Sequence, residues 1–132
     1  MKVEAYIDAL FALYMDSKSH TGVNIFVGGS VVYVSSKKQK GMTKSPTKAE
    51  LVGFLENLGV VELVEDLTCF ITNRQELVPV IYQDSTSVIS LITKGGGIAR
   101  TKHLRARMNL GKEAVDENKV LIIYKRFRKD ES

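Results

Sequence analysis

Val78-Pro79-Val80-Ile81-Tyr82, running into Gln83-Asp84, is the most strand-like stretch of the chain, and its surroundings decide the fold. β-Branched residues crowd it and an acid closes it. Pro79 lacks an N–H, which makes the start irregular. Upstream, Ala49, Val52, Leu55, Leu58 and Val61 recur at helical spacing behind Ser45-Pro46, an N-cap followed by the residue best suited to a first helical position. Gly53 and Gly59 weaken that pattern, so a break near Gly59 is expected, with a restart through Leu63, Val64 and Leu67. Earlier still, Val3 to Asp8, Thr21 to Val27 and Val31 to Ser35 alternate as three strands, the last two joined by Gly28-Gly29-Ser30. Together they predict an antiparallel meander. Leu10 to Met15 either extends the first strand or bends away from it, and Asp16-Ser17-Lys18-Ser19-His20 is a polar turn.

Downstream, Ser85 caps a short helix carrying Val88, Ile89, Leu91 and Ile92, which Gly95-Gly96-Gly97 ends. A longer helix is expected from about Thr101 to Asn118, with Gly111 interrupting it. Lys119 to Tyr124 is a final strand, and the charged remainder frays. The order is three strands, helix, strand, two helices, strand. The later strands are expected to lie parallel to the first through right-handed crossovers. The expected class is α/β, with a mixed five-stranded sheet flanked by helices: three antiparallel strands, then two parallel crossovers, in a single domain over 1–132.

With 132 residues, 44% of them hydrophobic and 26% charged, the chain has enough apolar material for one core and too little bias for disorder. Its one cysteine, Cys69, excludes an internal disulfide framework, reads as a core thiol, and points to a reducing compartment. No apolar run approaches the roughly 20 residues needed to cross a bilayer. The N-terminus, with an early acid, is not a signal peptide. An intracellular, soluble protein is expected, with no membrane partner. The net charge of +4 is segregated along the chain. Lys37, Lys38, Lys40 and Lys44 cluster in one linker, Arg100, Lys102, Arg105 and Arg107 in another segment, and Lys125, Arg126, Arg128 and Lys129 at the end. Acids gather around Glu56, Glu62, Glu65 and Asp66. One face that meets phosphates is the natural reading of such segregation.

Three carboxylates stand where backbone elements begin or end. Asp8 closes the first strand, Glu50 lies one turn inside the helix opened by Ser45-Pro46, and Asp84 follows the Val78 to Tyr82 run. A single acid at a strand end usually forms a turn. A set of three on rigid elements is what a divalent-cation site for phosphodiester hydrolysis requires, since hard cations take several negative oxygens and keep positions open for phosphate and water. Asp16 and His20 read as turn residues, Glu4, Glu62, Glu65 and Asp66 as solvated faces, and the Leu, Val and Ile stripe from Leu51 to Leu67 as core. Gly95-Gly96-Gly97 lacks the following Lys-Ser or Lys-Thr of a nucleotide cradle.

Several motifs, in order, resemble one family. They are Tyr6-Ile7-Asp8-Ala9, Ser19-His20-Thr21-Gly22 with Gly28-Gly29, Ser36-Lys37-Lys38-Gln39-Lys40, Ser45-Pro46-Thr47-Lys48-Ala49-Glu50, Tyr82-Gln83-Asp84-Ser85-Thr86-Ser87-Val88-Ile89 and Arg100-Thr101-Lys102-His103. Together they resemble the ribonuclease H domain of copia-type LTR retrotransposon polyproteins, over nearly the whole chain. The resemblance implies a ribonuclease-H-like fold and a metal-dependent endonuclease that hydrolyses the RNA strand of RNA–DNA hybrids during reverse transcription. It implies two Mg²⁺ or Mn²⁺ ions, with Asp8 bridging both and Glu50 and Asp84 completing the second. It also implies a polyprotein carrying reverse transcriptase and integrase, in the cytoplasm or in virus-like particles. Lys37, Lys38, Lys40, Lys44, Lys102, His103 and Arg105 are then the expected nucleic-acid contacts, with the hybrid read through backbone, groove width and 2′-OH groups.

The chain departs from the family's pattern in places. Arg105 occupies the position of a further Asp that would help hold the first metal. Leu10-Phe11 stands where Asp-Trp is usual, and Lys48 replaces a frequent acid. The alternative expectation is a catalytically weak or inactive ribonuclease-H-like domain that binds nucleic acid.

Overall fold

The computed structural model describes residues 2–10, 18–40, 45–74, 77–94 and 102–127, with side chains from 105 onward in the last segment. Eight elements follow in the expected order: β1 (Val3–Leu10), β2 (His20–Val27), β3 (Ser30–Lys38), α1 (Pro46–Thr72), β4 (Val80–Gln83), α2 (Thr86–Lys94), α3 (Lys102–Asp116) and β5 (Leu121–Tyr124). Of the expected turn from Asp16 to His20, Asp16 and Ser17 lie outside the described residues, as do the Gly95-Gly96-Gly97 terminator and the tail beyond Phe127, while His20 is not a turn residue but opens β2, paired with Leu10 and Lys38.

The five strands form one sheet in the order β3-β2-β1-β4-β5. β1 pairs antiparallel with β2, from Val3 opposite Val27 to Leu10 opposite His20. β2 pairs antiparallel with β3, with a register shift between Ile25 and Phe26. Gly28 and Gly29 make the turn at φ 57° and 85°, a backbone that side-chain-bearing residues rarely adopt. β4 then lies parallel to β1, with Tyr6 beside Tyr82, and β5 parallel to β4. The two crossovers hold α1 and the pair α2–α3, as a parallel connection demands.

Alternation decides which face of the sheet is covered. Val3, Ala5 and Ile7 of β1 and Val23 and Ile25 of β2 are buried against Leu51, Phe54, Leu55, Leu58 and Val61 of α1. Val88 and Ile92 of α2 and Met108 and Ala114 of α3 complete that core. On the opposite face Tyr6 stacks on Tyr82 at 4.8 Å and meets Phe26 edge-on, and the Lys125 ammonium lies 5.0 Å from both tyrosine rings.

α1 differs from expectation in two ways. It runs unbroken for 27 residues, straight through Gly59. Gly59 faces outward with nothing within 4 Å of where a Cβ would stand, while Leu58 and Val61 on either side are buried. Packing on the inner face offsets the roughly 1 kcal/mol that a mid-helix glycine costs. The stripe also stops being core before Leu67. Its last buried residue is Glu65, and Leu63, Leu67, Phe70 and Ile71 are exposed. Glu65, expected on a solvated face, is instead buried and accepts the Leu77 N–H at 2.8 Å. Glu4, also expected to be solvated, is half-buried and accepts the Tyr82 hydroxyl at 2.6 Å.

α3 is likewise continuous through Gly111. A Cβ there would stand 2.8 Å from Leu55 Cδ2, so this glycine lets α3 approach α1 closely. Cys69 is half-buried, with its Sγ 3.5 Å from Glu65 Oε1. Among the described residues no helix is long and apolar enough to cross a membrane.

Candidate active site

Sheet topology brings two of the three acids to the same end of neighbouring strands. β1 and β4 run parallel with Tyr6 beside Tyr82, so the same count along each strand reaches Asp8 and Asp84. Glu50 arrives from the first turns of α1, which passes over β1 and β2. Ser45 caps that helix, its Oγ accepting the Lys48 N–H at 3.1 Å, with Pro46 in its first turn.

Two buried contacts set where α1 begins. The Gln39 side-chain amide donates to Thr21 Oγ1 and to the Ala49 carbonyl, both at 2.9 Å, tying β2 to the residue before Glu50. Gly53, one turn on, lets the helix come down on Thr21, since a Cβ would meet Thr21 Cγ2 at 3.0 Å. Asp84 is held differently. Gln83 is fully buried, and its Oε1 accepts the N–H groups of Asp84 (3.1 Å) and Ser85 (3.3 Å), fixing the turn that carries the carboxylate. Ser85 then caps α2 through Val88 N–H, as expected.

The acids meet at one amide. Ala9 N–H donates to Asp8 Oδ1 at 3.0 Å and to Glu50 Oε1 at 3.2 Å. Glu50 is pushed from the ordinary 4.5 up to about 8. Burial is the largest cause, then the hydrogen bond and the charge of Asp8, opposed by the Ala9 N–H, with a further push from Asp84. All three carboxylates therefore share one electrostatic environment. The second Glu50 oxygen, Oε2, is buried with no partner among the described residues.

These features fit a hard cation: the donors are all carboxylate oxygen, one is orphaned, and no basic side chain neutralises them in the interactions described. The fit is a loose one. Among the described residues no group of three or more His, Cys, Asp or Glu side chains is gathered closely enough to hold a metal ion. Asp8 and Glu50 meet directly, and Asp84 stands within reach of their charge.

The basic candidates separate. Lys37, Lys38 and Lys40 are exposed and line a groove of about 630 Å³ over Gly59 of α1, with Arg107 of α3 on its wall. Glu56, Glu62 and Glu113 line it too. Arg105 is exposed on α3. Lys102 and His103 belong to α3, their side chains outside the described set, and Lys44 lies outside the described residues. Gln39, Gln83 and the Ala9 amide were not singled out from the sequence, where a glutamine or an alanine carries no chemical signature. Ala9 and Gln83 adjoin an acid in the sequence, and Gln39 does not.

No family model matches the chain. It is 31% identical over 123 residues to a retrovirus-related Pol polyprotein from transposon TNT 1-94 of Nicotiana tabacum. That match takes in 92% of this chain and 9% of the polyprotein's length. Among solved structures, LC11-RNase H1, isolated from compost by a metagenomic approach, superposes with a TM-score of 0.66 at 15% identity, covering 98% of this chain and 86% of that one. The same enzyme in complex with an RNA/DNA hybrid gives a TM-score of 0.59 at 15% identity, over 98% and 88%. The mixed sheet and its three helices thus have the fold of the ribonuclease H structures, and by sequence the chain belongs to the family of retrovirus-related Pol polyproteins of transposons.

Proposed function

We propose that this domain is a ribonuclease H of a copia-type retrotransposon polyprotein, cutting the RNA strand of RNA–DNA hybrids inside the cell with Mg²⁺ or Mn²⁺ held by Asp8, Glu50 and Asp84. The observation that carries the reading is the Ala9 N–H shared by the carboxylates of Asp8 and Glu50, with Asp84 adding its charge to the same site. Such a cluster is uphill for the free chain, and a cation relieves it. When bound, a pair of divalent ions supplies an activated water and neutralises charge on the departing 3′ oxygen.

The chain's own residues orient this chemistry. The Ala9 amide fixes the facing oxygens of Asp8 and Glu50. Gln83 holds the Asp84 turn, and Gln39 with Thr21 fixes the start of α1, so that each carboxylate sits on a rigid support. Lys37, Lys38 and Lys40 supply charge for hybrid phosphates, with Lys44, Lys102, His103 and Arg105 as further contacts. Reverse transcriptase and integrase domains are the proposed neighbours in the polyprotein.

A second reading keeps the fold and loses the turnover: a nucleic-acid-binding domain of weak or no activity. The exposed Arg105 on α3 and the loose spacing of the acids favour it. One assay separates the two. With labelled hybrid and Mg²⁺ or Mn²⁺, the enzyme cleaves, and Asp8→Asn reduces cleavage at least 100-fold while hybrid binding persists. Arg105→Asp raises cleavage several-fold. Binding without cleavage in the parent chain and in Arg105→Asp overturns the enzyme reading.

A further inference from the structure

At the other end of α1 from Glu50, the helix outruns its own core. Burial ends at Glu65, yet the helix continues to Thr72. Leu63, Leu67, Phe70 and Ile71 recur on one side of this extension and are exposed, Phe70 at 85% and Ile71 at 77%. Apolar rows of this kind on a soluble surface mark contact sites. Beside the row runs a second one, Glu62 and Asp66, one turn apart.

These acids lead into a cavity of about 460 Å³ between α1 and the approach to β4. Among the described residues Glu62, Glu65, Asp66 and Glu117 line it, against one cation, Lys119, which already pairs with Glu117 at 3.2 Å. Leu77, Val78 and Pro79 form its apolar wall. Glu65 is only 6% exposed, its Oε1 is engaged by Leu77 N–H, and its Oε2 is buried without a partner among the described residues. A buried carboxylate oxygen with no donor is costly unless something supplies one. The matching group is a pure donor on an aliphatic stem, which describes an arginine or lysine side chain.

We propose that this end of α1, with the Leu77-Val78-Pro79 approach to β4, is a docking surface for a basic amphipathic segment of a partner protein. One cationic side chain enters the acidic cavity and apolar neighbours cover Leu67, Phe70 and Ile71. Charge complementarity selects the occupant: the chain carries a net +4 overall, and this patch inverts that sign. The surface is separate from the carboxylates at the sheet's other end and stands whether or not the domain cleaves hybrids.

The test uses the full chain and a fluorescein-labelled 18-residue helical peptide of Leu and Arg, read by anisotropy. The expected result is saturable binding that weakens at least 10-fold in Glu62→Lys/Asp66→Lys and, independently, in Phe70→Ser/Ile71→Ser. All four substitutions are at residues of α1's outer side, and circular dichroism checks that both variants stay folded. Asp8→Asn leaves binding unchanged, and a Leu and Glu peptide of the same pattern does not bind. Equal binding to all variants overturns the proposal. So does concentration-dependent self-association in sedimentation that the same substitutions abolish, which would assign the surface to a second copy of the chain.

Discussion

Glu50 is the residue whose chemistry is most sharply constrained by its neighbours. Burial and the adjacent Asp8 and Asp84 raise its carboxyl from 4.5 to about 8, so between those values the folded state holds a proton that the unfolded chain releases. Where the native state binds more protons, stability falls as pH rises. The stabilising share of Glu50 is therefore complete below about 4.5 and is lost as pH climbs through about 8. In chelator-containing buffer the melting temperature should decline from pH 5 to pH 9, by about 3–5 °C for each kcal/mol involved. Glu50→Gln cannot ionise and should flatten that decline. Adding Mg²⁺ at pH 8.5 should raise the melting temperature of the parent chain and leave Glu50→Gln nearly unmoved. Equal slopes in the two proteins, without metal, would show that the carboxyl is not held as these contacts require.

At the scale of elements, α1 separates two glycines that look alike in the sequence. Gly59 faces open space, so Gly59→Ala should gain roughly 1 kcal/mol from helix propensity alone. Gly53 lies against Thr21, whose hydroxyl accepts from Gln39 and whose β-branched side chain has little freedom to yield. Overpacking of about 1–3 kcal/mol there should outweigh the propensity gain, so Gly53→Ala melts lower and Gly59→Ala higher in the same denaturant series. The contrast shows what was legible. Caps and turns were, because Ser45-Pro46 and Gly28-Gly29 carry their geometry locally, and so were the element order and the antiparallel-then-parallel class of the sheet. The three acids were legible as ends of elements. Helix continuity through Gly59, the burial of Glu65 and the clamps made by Gln39 and Gln83 were not, because each depends on packing against neighbours that local periodicity does not identify.

For the molecule as a whole, the segregated charge becomes a geometric statement: the candidate-site carboxylates and, two strands across, Lys37 and Lys38 of β3 share one end of the sheet, and a second acidic region lies near the end of α1. The Lys37, Lys38 and Lys40 groove is the proposed path for hybrid phosphates, yet Glu56, Glu62 and Glu113 share its lining and subtract from its field. Salt dependence measures how many of these cations actually meet phosphate. Each contact contributes roughly 0.7–0.9 to the slope of log affinity against log salt. In the non-cleaving Asp8→Asn background, hybrid binding followed by anisotropy across a salt series should lose about 2–3 from its slope on Lys37→Ala/Lys38→Ala/Lys40→Ala. Glu56→Gln should raise affinity at low salt without adding to the slope, because it removes repulsion and creates no ion contact. A slope unchanged in the triple variant would move the phosphate path away from this groove, toward Arg105 and the first turn of α3.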